Sequence, residues 1–343
     1  MAEPFRQAPE RRGRMEEIMG EQSNTGIMAS ISCVTYNHAP YIRQALDSFL
    51  MQKTDFEYEI LVHDDASTDG TSDILREYER KYPGKVRPLI QKENQYSQGI
   101  DNISGAFNFP RARGKYIFMC DGDDYFVSPD KLQKQVDYFE AHPDCTLCIH
   151  STKIDLVGKA VTESQMRPYR KSRVISPEEI VDKPSGYAMS SMAFPSSLVR
   201  ELPDYYVDCP VGDTPLQLMA AAKGYGYYMD EVMSAYRVGV AGSWTSEGKN
   251  GDYEGKQRVY WERMKLVYEE FDRATGGRFT EAARSAAERT YYQTMVNLRR
   301  FDEILKPEYK RYYRELGLRT RFFIQFEKRA PGIYRGAQRL LLK

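Results

Sequence analysis

Apolar residues recur along this chain in two alternating rhythms. The short runs Ser30 to Thr35, Tyr58 to His63, Val86 to Gln91 and Tyr116 to Cys120 read as buried strands. Between them, Tyr41 to Gln52 carries Ile42, Ala45, Leu46, Phe49 and Leu50 at a helical period. Thr71 to Tyr82 predicts a second helix, stopped by Pro83-Gly84. A polar loop from Lys92 to Asn102 and a short helix follow the third strand. Ser128-Pro129-Asp130 predicts a helix to Ala141, with Ser128 as cap and Pro129 at its first position. This β-α-β-α order predicts an α/β fold, with a mostly parallel central sheet flanked by helices on both faces.

The second half is less regular. Cys145 to Ser151 reads as a strand, and Lys153 to Arg173 as an excursion of strands and loop. Ser176-Pro177-Glu178-Glu179 has a capping-box pattern and opens a short helix. Gly212-Asp213-Thr214 precedes a helix, Pro215 to Lys223, that stops at Gly224. Tyr225 to Met229 and Val232 to Val238 predict two more strands, followed by a Gly/Ser loop to Gly251. From Asp252 the period is helical almost to the end, broken at Pro307 and Pro331. The expected organisation is a leader over 1–28 without order, a catalytic domain over 29–250 and a C-terminal helical region over 251–343.

Composition narrows the class. The chain has 343 residues, 41% of them apolar, enough for a sizeable core. No stretch approaches the roughly 20 apolar residues that span a bilayer. The charged N-terminus lacks the pattern of a signal peptide. Five cysteines, an odd number, suggest a reducing cytosol rather than a disulfide framework. Cys145-x-x-Cys148 lies in an apolar run with no second such pair, and reads as core packing. Formal net charge is zero, yet Lys306 to Lys343 holds 11 Lys/Arg against 3 Asp/Glu, a net of +8. Arg319 to Lys343 mixes these cations with Phe, Ile, Tyr and Leu. That suits peripheral contact with an anionic membrane through 319–343, or packing on the catalytic domain with a solvated basic face. Nothing in the chain points to nucleic acid.

The sharpest chemistry is Asp121-Gly122-Asp123-Asp124 at the carboxyl end of the Tyr116 to Cys120 strand. Like charges so crowded repel unless a cation sits among them. Mn²⁺ or Mg²⁺ takes oxygen ligands of this kind and is often shared with phosphates. A solvated acidic turn, bent at Gly122, is the alternative. Open α/β sheets also bind ligands beyond the carboxyl ends of their strands.

Two segments combine with that motif in a fixed order: Ser32-Cys33-Val34-Thr35-Tyr36-Asn37-His38 at the first strand and Glu59-Ile60-Leu61-Val62-His63-Asp64-Asp65-Ala66-Ser67-Thr68-Asp69-Gly70-Thr71 at the second, ahead of Asp121 to Asp124 at the fourth. Over about Ser30 to Trp244 this resembles the family 2 glycosyltransferases of bacterial polysaccharide biosynthesis, inverting enzymes of the Rossmann-like GT-A fold that use nucleotide-sugars. The resemblance implies nucleotide contacts from Thr35, Tyr36, Asn37, Asp64, Asp65 and Asp121, with Thr35 and Asp65 on the uridine. Asp64 has a second option, pointing into its own turn. The resemblance implies metal ligation by Asp123 and Asp121, a donor-sugar or acceptor contact from Asp124 and Trp244, and Asp213 as general base. Capping its helix is the alternative task for Asp213. Lys92, Arg111 and Arg113 are the cations near enough in sequence to meet a diphosphate, with no clear match. One departure stands out: Gly239 occupies the place where the family frequently has a histidine after Tyr-Arg-x. His38, His63, His142 and His150 do not cluster in sequence and are read as structural or surface residues.

The function implied is an inverting, metal-dependent hexosyl- or N-acetylhexosaminyl-transferase. It would move a sugar from a UDP-sugar to a hydroxyl of a glycan or lipid-linked oligosaccharide. The expected location is cytoplasmic, peripheral on the inner face of the plasma membrane. The alternatives are a non-catalytic nucleotide-binding or membrane scaffold module and a sugar nucleotidyltransferase. The latter would want a Gly-rich, basic loop after the first strand, which Tyr36-Asn37-His38-Ala39-Pro40 does not supply.

Overall fold

The computed structural model describes residues 26–158, 164–184, 186–241 and 252–330. In chain order the first half holds β1 (Ile27–Thr35), α1 (Ile42–Leu50), β2 (Glu57–Asp64), α2 (Thr71–Lys81), β3 (Val86–Ile90), β4 (Tyr116–Met119), β5 (Tyr125–Phe126) and α3 (Lys131–Ala141). There follow β6 (Cys145–Leu156), β7 (Gln165–Met166), β8 (Arg173–Ile175), α4 (Pro177–Asp182), β9 (Ala193–Pro195), α5 (Asp204–Val207), α6 (Asp213–Lys223) and β10 (Tyr225–Val238). The helical C-terminal part is α7 (Tyr253–Ala274), α8 (Thr280–Asn297), α9 (Phe301–Ile304), α10 (Lys310–Glu315) and α11 (Leu318–Arg329). The expected leader lies outside the described residues as far as residue 25, and its last positions, Ile27 and Met28, already belong to β1.

The main sheet runs in the order β3-β2-β1-β4-β9-β6-β10-β5. The first four strands are parallel, as are β6 and β10, while the short β9 lies antiparallel between β4 and β6. Side chains alternate across this sheet. In β4, Ile117 and Met119 join a core with α4, α6 and α7, while Tyr116 and Phe118 join a second core with α1, α2 and α3. Both faces are therefore covered, as a parallel sheet requires. Met264, Val267, Tyr268 and Phe271 of α7 lie in the first core, so the helical region begins as part of the domain. Tyr292, Ile304, Tyr312 and Ile324 form a small third core among α8 to α11.

Two local expectations change. α3 begins at Lys131, and Ser128 does not cap it: the Ser128 hydroxyl accepts from the Asp130 N–H at 3.3 Å instead. The two strands expected over 225–238 are one. A register irregularity between Met229 and Val232 absorbs the acidic pair Asp230-Glu231, which read as a break. Both side chains turn outward to cations, Asp230 to Arg167 and Glu231 to Lys134. The two cysteines of Cys145-x-x-Cys148 are buried and unpaired in β6, as core residues.

Candidate active site

Three turns meet at the carboxyl edge of β2, β1 and β4. The Asp65 N–H donates to Thr35 O at 3.0 Å and the Gly122 N–H to Val34 O at 2.8 Å, extending the sheet's bonding past the strands. Gly122 leaves no room for a side chain: a Cβ there would stand 2.6 Å from Thr35 Oγ1 and 3.1 Å from His38 Nδ1. Thr35 is buried, and its Oγ1 has no hydrogen-bond partner among the described residues. A buried hydroxyl so placed is costly alone and suits a ligand contact. Tyr36, beside it, is exposed.

Asn37 and Asp64 serve the turns themselves. Asn37 has φ 55°, in the left-handed region that Asn tolerates. Its N–H donates to Ser67 Oγ and its Oδ1 accepts from the Thr68 N–H, each at 2.8 Å. Asp64 points into its turn: Oδ1 accepts from the Ser67 N–H and hydroxyl, and Oδ2 from the Ser72 hydroxyl. Asp65 reaches the other way. Its Oδ1 accepts from the Gln95 N–H at 2.7 Å and its Oδ2 from the Tyr96 N–H at 3.1 Å, with His63 Nε2 3.5 Å from Oδ1. Burial works to raise its pKa, but these hydrogen bonds outweigh burial and hold the carboxyl below its ordinary value.

The acidic run after β4 is electrostatically strained. Asp121 is half-buried. Burial first, then the charges of Asp123 and Asp213, push its pKa from 3.8 up to about 7. Asp213 therefore shares the field of this site although it comes from the start of α6. Its Oδ1 accepts from the Thr214 N–H at 2.8 Å, and Gly212 occupies the cap position. Burial raises the Asp213 pKa against that bond, while the helix N-terminus favours a carboxylate there. Asp124 is buried and its Oδ1 accepts from the Arg237 N–H at 2.9 Å. Burial and the neighbouring Asp123 charge raise its pKa well above the usual range, with the Arg237 N–H opposing them.

Two residues that lie within the motifs, but to which the motifs assigned no role, complete the site. Arg237, near the end of β10, donates through its guanidinium to Asp123 O and Gln44 Oε1. Its Cζ lies 5.0 Å from the ring centroid of Tyr41 and 4.5 Å from that of Tyr125. His38 is the other. His63 and His150 are buried in the fold and His142 is exposed, as expected, but His38 Nε2 stands 4.0 Å from Asp123 Oδ2. Burial lowers the His38 pKa, while Asp123 and Asp69 work to raise it. A histidine directly after a strand-end Asn was the available signal. The cations near in sequence are engaged elsewhere. Arg111 donates to Arg87 O at 2.9 Å, Val62 O at 3.1 Å and Asn108 Oδ1 at 2.8 Å. Arg113 pairs with the buried Glu59, and Lys92 is exposed. Gly239 has φ 93°, which would strain a histidine, so its departure has a backbone cause. Trp244 lies outside the described residues.

The profile of the family described as glycosyl transferase family 2 matches residues 30–194, the span that holds every one of these motifs except Asp213 and Arg237. Residues 30–194 form a glycosyltransferase family 2 domain. The chain is 33% identical over 239 residues to the uncharacterized protein Rv1520 of Mycobacterium tuberculosis H37Rv, covering 68% of this chain and 63% of that protein. It is 34% identical over 137 residues to the uncharacterized glycosyltransferase alr2836 of Nostoc sp. PCC 7120, covering 39% of this chain and 40% of that one. Among solved structures, S. aureus TarS 1-349 in complex with UDP-GlcNAc superimposes with TM-score 0.53 at 16% identity, covering 88% of this chain and 87% of that one. GalNAc-T7 with UDP, GalNAc and Mn²⁺ gives TM-score 0.52 at 13% identity, covering 78% and 57%. These neighbours share the GT-A fold.

A divalent cation fits the donor set in part. Asp121 and Asp123 offer hard oxygens, and the raised Asp121 pKa marks carboxylate charge that the described protein leaves uncompensated. Among the described residues no three His, Cys, Asp or Glu side chains form a ready-made metal cage, so an ion here would complete its shell with water or substrate oxygens.

Proposed function

We propose that this chain transfers a sugar from a UDP-sugar to a hydroxyl of a glycan or lipid-linked oligosaccharide, with inversion and with Mn²⁺ or Mg²⁺. The observation that carries the reading is the shared field of Asp121, Asp123 and Asp213, carboxylates from the end of β4 and the start of α6. Two tasks have to be divided among such carboxylates: holding the donor's diphosphate through a cation, and deprotonating the acceptor.

Asp121 and Asp123 are assigned to the cation and diphosphate, and the ion when bound neutralises charge on the departing UDP. Thr35, Tyr36 and Asp65 line the nucleoside end, where the unpartnered Thr35 hydroxyl is a ready contact. Asn37 and Asp64 act through the turns they brace. Asp124 fixes the acidic loop near the donor sugar through its bond from the Arg237 N–H. Asp213 is assigned as the base that takes the proton of the acceptor hydroxyl while that oxygen attacks the anomeric carbon opposite the diphosphate. Burial keeps its pKa up, which makes it a better proton acceptor, and the Thr214 N–H sets its orientation. The protein is assigned to the cytosolic face of a membrane, held there by its basic C-terminal end.

The test is release of UDP from a panel of UDP-sugars with and without Mn²⁺. Asp123→Ala is expected to abolish metal-dependent UDP binding. Asp213→Asn is expected to keep UDP binding and lose about 10²–10⁴-fold in kcat, the usual worth of a general base. UDP binding without turnover on any acceptor would replace the enzyme reading with that of a nucleotide-binding module.

A further inference from the structure

We propose that His38 ligates, together with Asp123, the divalent cation of this site, and so biases the site toward Mn²⁺ over Mg²⁺. The inference rests on the donor-binding role just assigned to Asp123. It starts from a separation. His38 Nε2 and Asp123 Oδ2 are 4.0 Å apart, which is too far for a hydrogen bond. It is also just under about 4.2 Å, twice the metal–ligand bond of about 2.1 Å for imidazole nitrogen or hard oxygen. One ion between the two atoms can reach both at an angle of about 145°, and an approach of the side chains by about 1 Å brings them to the roughly 90° of neighbouring octahedral ligands.

The imidazole is held in place, its ring edge-on to Tyr41 with centroids 6.4 Å apart. Its backbone N–H donates to Thr71 Oγ1 at 3.0 Å, and its carbonyl accepts from the Tyr41 and Ile42 N–H groups at 2.8 Å each. The side chain is only 12% exposed and its Nδ1 has no hydrogen-bond partner. A second buried orphan, Thr35 Oγ1, faces the same glycine, and a Cβ at Gly122 would collide with it at 2.6 Å and crowd His38 Nδ1 at 3.1 Å. The acidic loop thus closes on two polar atoms that the protein itself leaves unsatisfied. Mg²⁺ prefers an all-oxygen shell that keeps several waters, whereas imidazole suits softer transition-metal ions. A mixed nitrogen and oxygen set therefore favours Mn²⁺.

The experiment is pulsed electron paramagnetic resonance on the full chain with Mn²⁺ and UDP, in wild type and His38→Gln, with thermal denaturation to confirm that the variant is folded. Wild type is expected to show modulation from a directly bound histidine nitrogen that shifts on ¹⁵N-histidine labelling. His38→Gln is expected to lose that modulation and to bind Mn²⁺ at least about 10-fold more weakly in the presence of UDP, a loss that even outer partners of metal sites produce. The Mn²⁺ to Mg²⁺ affinity ratio should fall with it. Mn²⁺ bound with UDP but showing no histidine nitrogen would overturn the role of His38 and leave the transferase reading standing. An equal loss of UDP affinity with and without Mn²⁺ in the variant would also overturn it, placing His38 on the nucleotide instead. Failure of wild type to bind Mn²⁺ with UDP at all would remove both.

Discussion

Lys131 places an amine in the middle of the core. It is fully buried at the start of α3, its Nζ donates to Gln135 Oε1 at 2.7 Å, and it lies 4.5 Å from the ring centroid of Phe126. Burial lowers its pKa from 10.5 to about 7, with Cys120 and Cys148 opposing. An amine whose folded value is depressed holds its proton more tightly when unfolded. Stability therefore rises with pH from about 7 towards the ordinary lysine value, by at most about 1.4 kcal/mol per unit. Lys131→Met keeps the length and removes the titration. In denaturant unfolding at pH 7 and pH 9.5, wild type should gain stability relative to the variant as pH rises; parallel curves would mean that Lys131 titrates normally. Such residues explain what could not be read in advance. Asp121, Asp123 and Asp213 were assigned roles only through the family resemblance, because a solvated turn or a helix cap would account for each carboxylate taken alone. A lysine at the start of a helix reads as solvated, and His38 reads as a turn residue, until the chain is folded around them.

At the scale of elements, the site depends on a clamp between strands distant in sequence. β10 pairs with β5, which directly follows the acidic loop after β4, and Arg237 spans that junction. Its N–H donates to Asp124 Oδ1, its guanidinium donates to Asp123 O and Gln44 Oε1, and Tyr41 and Tyr125 flank it. Removing a buried cation of this kind leaves its partners uncompensated, so Arg237→Met should cost about 3–5 kcal/mol of stability. Arg237→Lys keeps the charge but not the planar fork, and should weaken UDP binding more than it lowers the melting temperature. Calorimetry of both variants checks this, and wild-type melting and UDP affinity in both would show the clamp to be dispensable. The clamp was invisible because its partners lie at positions 41, 44 and 123–125. β1, β2, β4, α1 and α2 were legible because each is a long apolar run or a clear helical period. β9 was not: it has three residues, and only its place between β4 and β6 makes it a strand.

At the scale of the whole molecule, the C-terminal helices face two ways. α7 packs into the main core, and Ile324 of α11 turns into the small core of Tyr292, Ile304 and Tyr312. The opposite side of α11 is apolar as well: Leu318 is 78% and Phe322 is 64% exposed, one helical turn apart. Exposed cations Arg314, Arg319, Lys328 and Arg329 flank them, within a stretch from Lys306 that carries a net of +8. Among the described residues no helix is long and apolar enough to cross a membrane. Two large apolar side chains framed by cations are instead suited to insert partway into an anionic surface. Co-sedimentation should therefore show binding to phosphatidylglycerol vesicles, weaker binding at high salt and none to pure phosphatidylcholine. Burying one such side chain is worth about 1.5–3 kcal/mol, so Leu318→Glu with Phe322→Glu should lower partitioning by more than about 10-fold. Sugar transfer to a water-soluble acceptor, read as UDP release, should be unchanged, because neither residue belongs to the site at the carboxyl edge of the sheet. Equal sedimentation of the double variant and wild type would mean that this face serves some other contact, and that the basic stretch acts by charge alone.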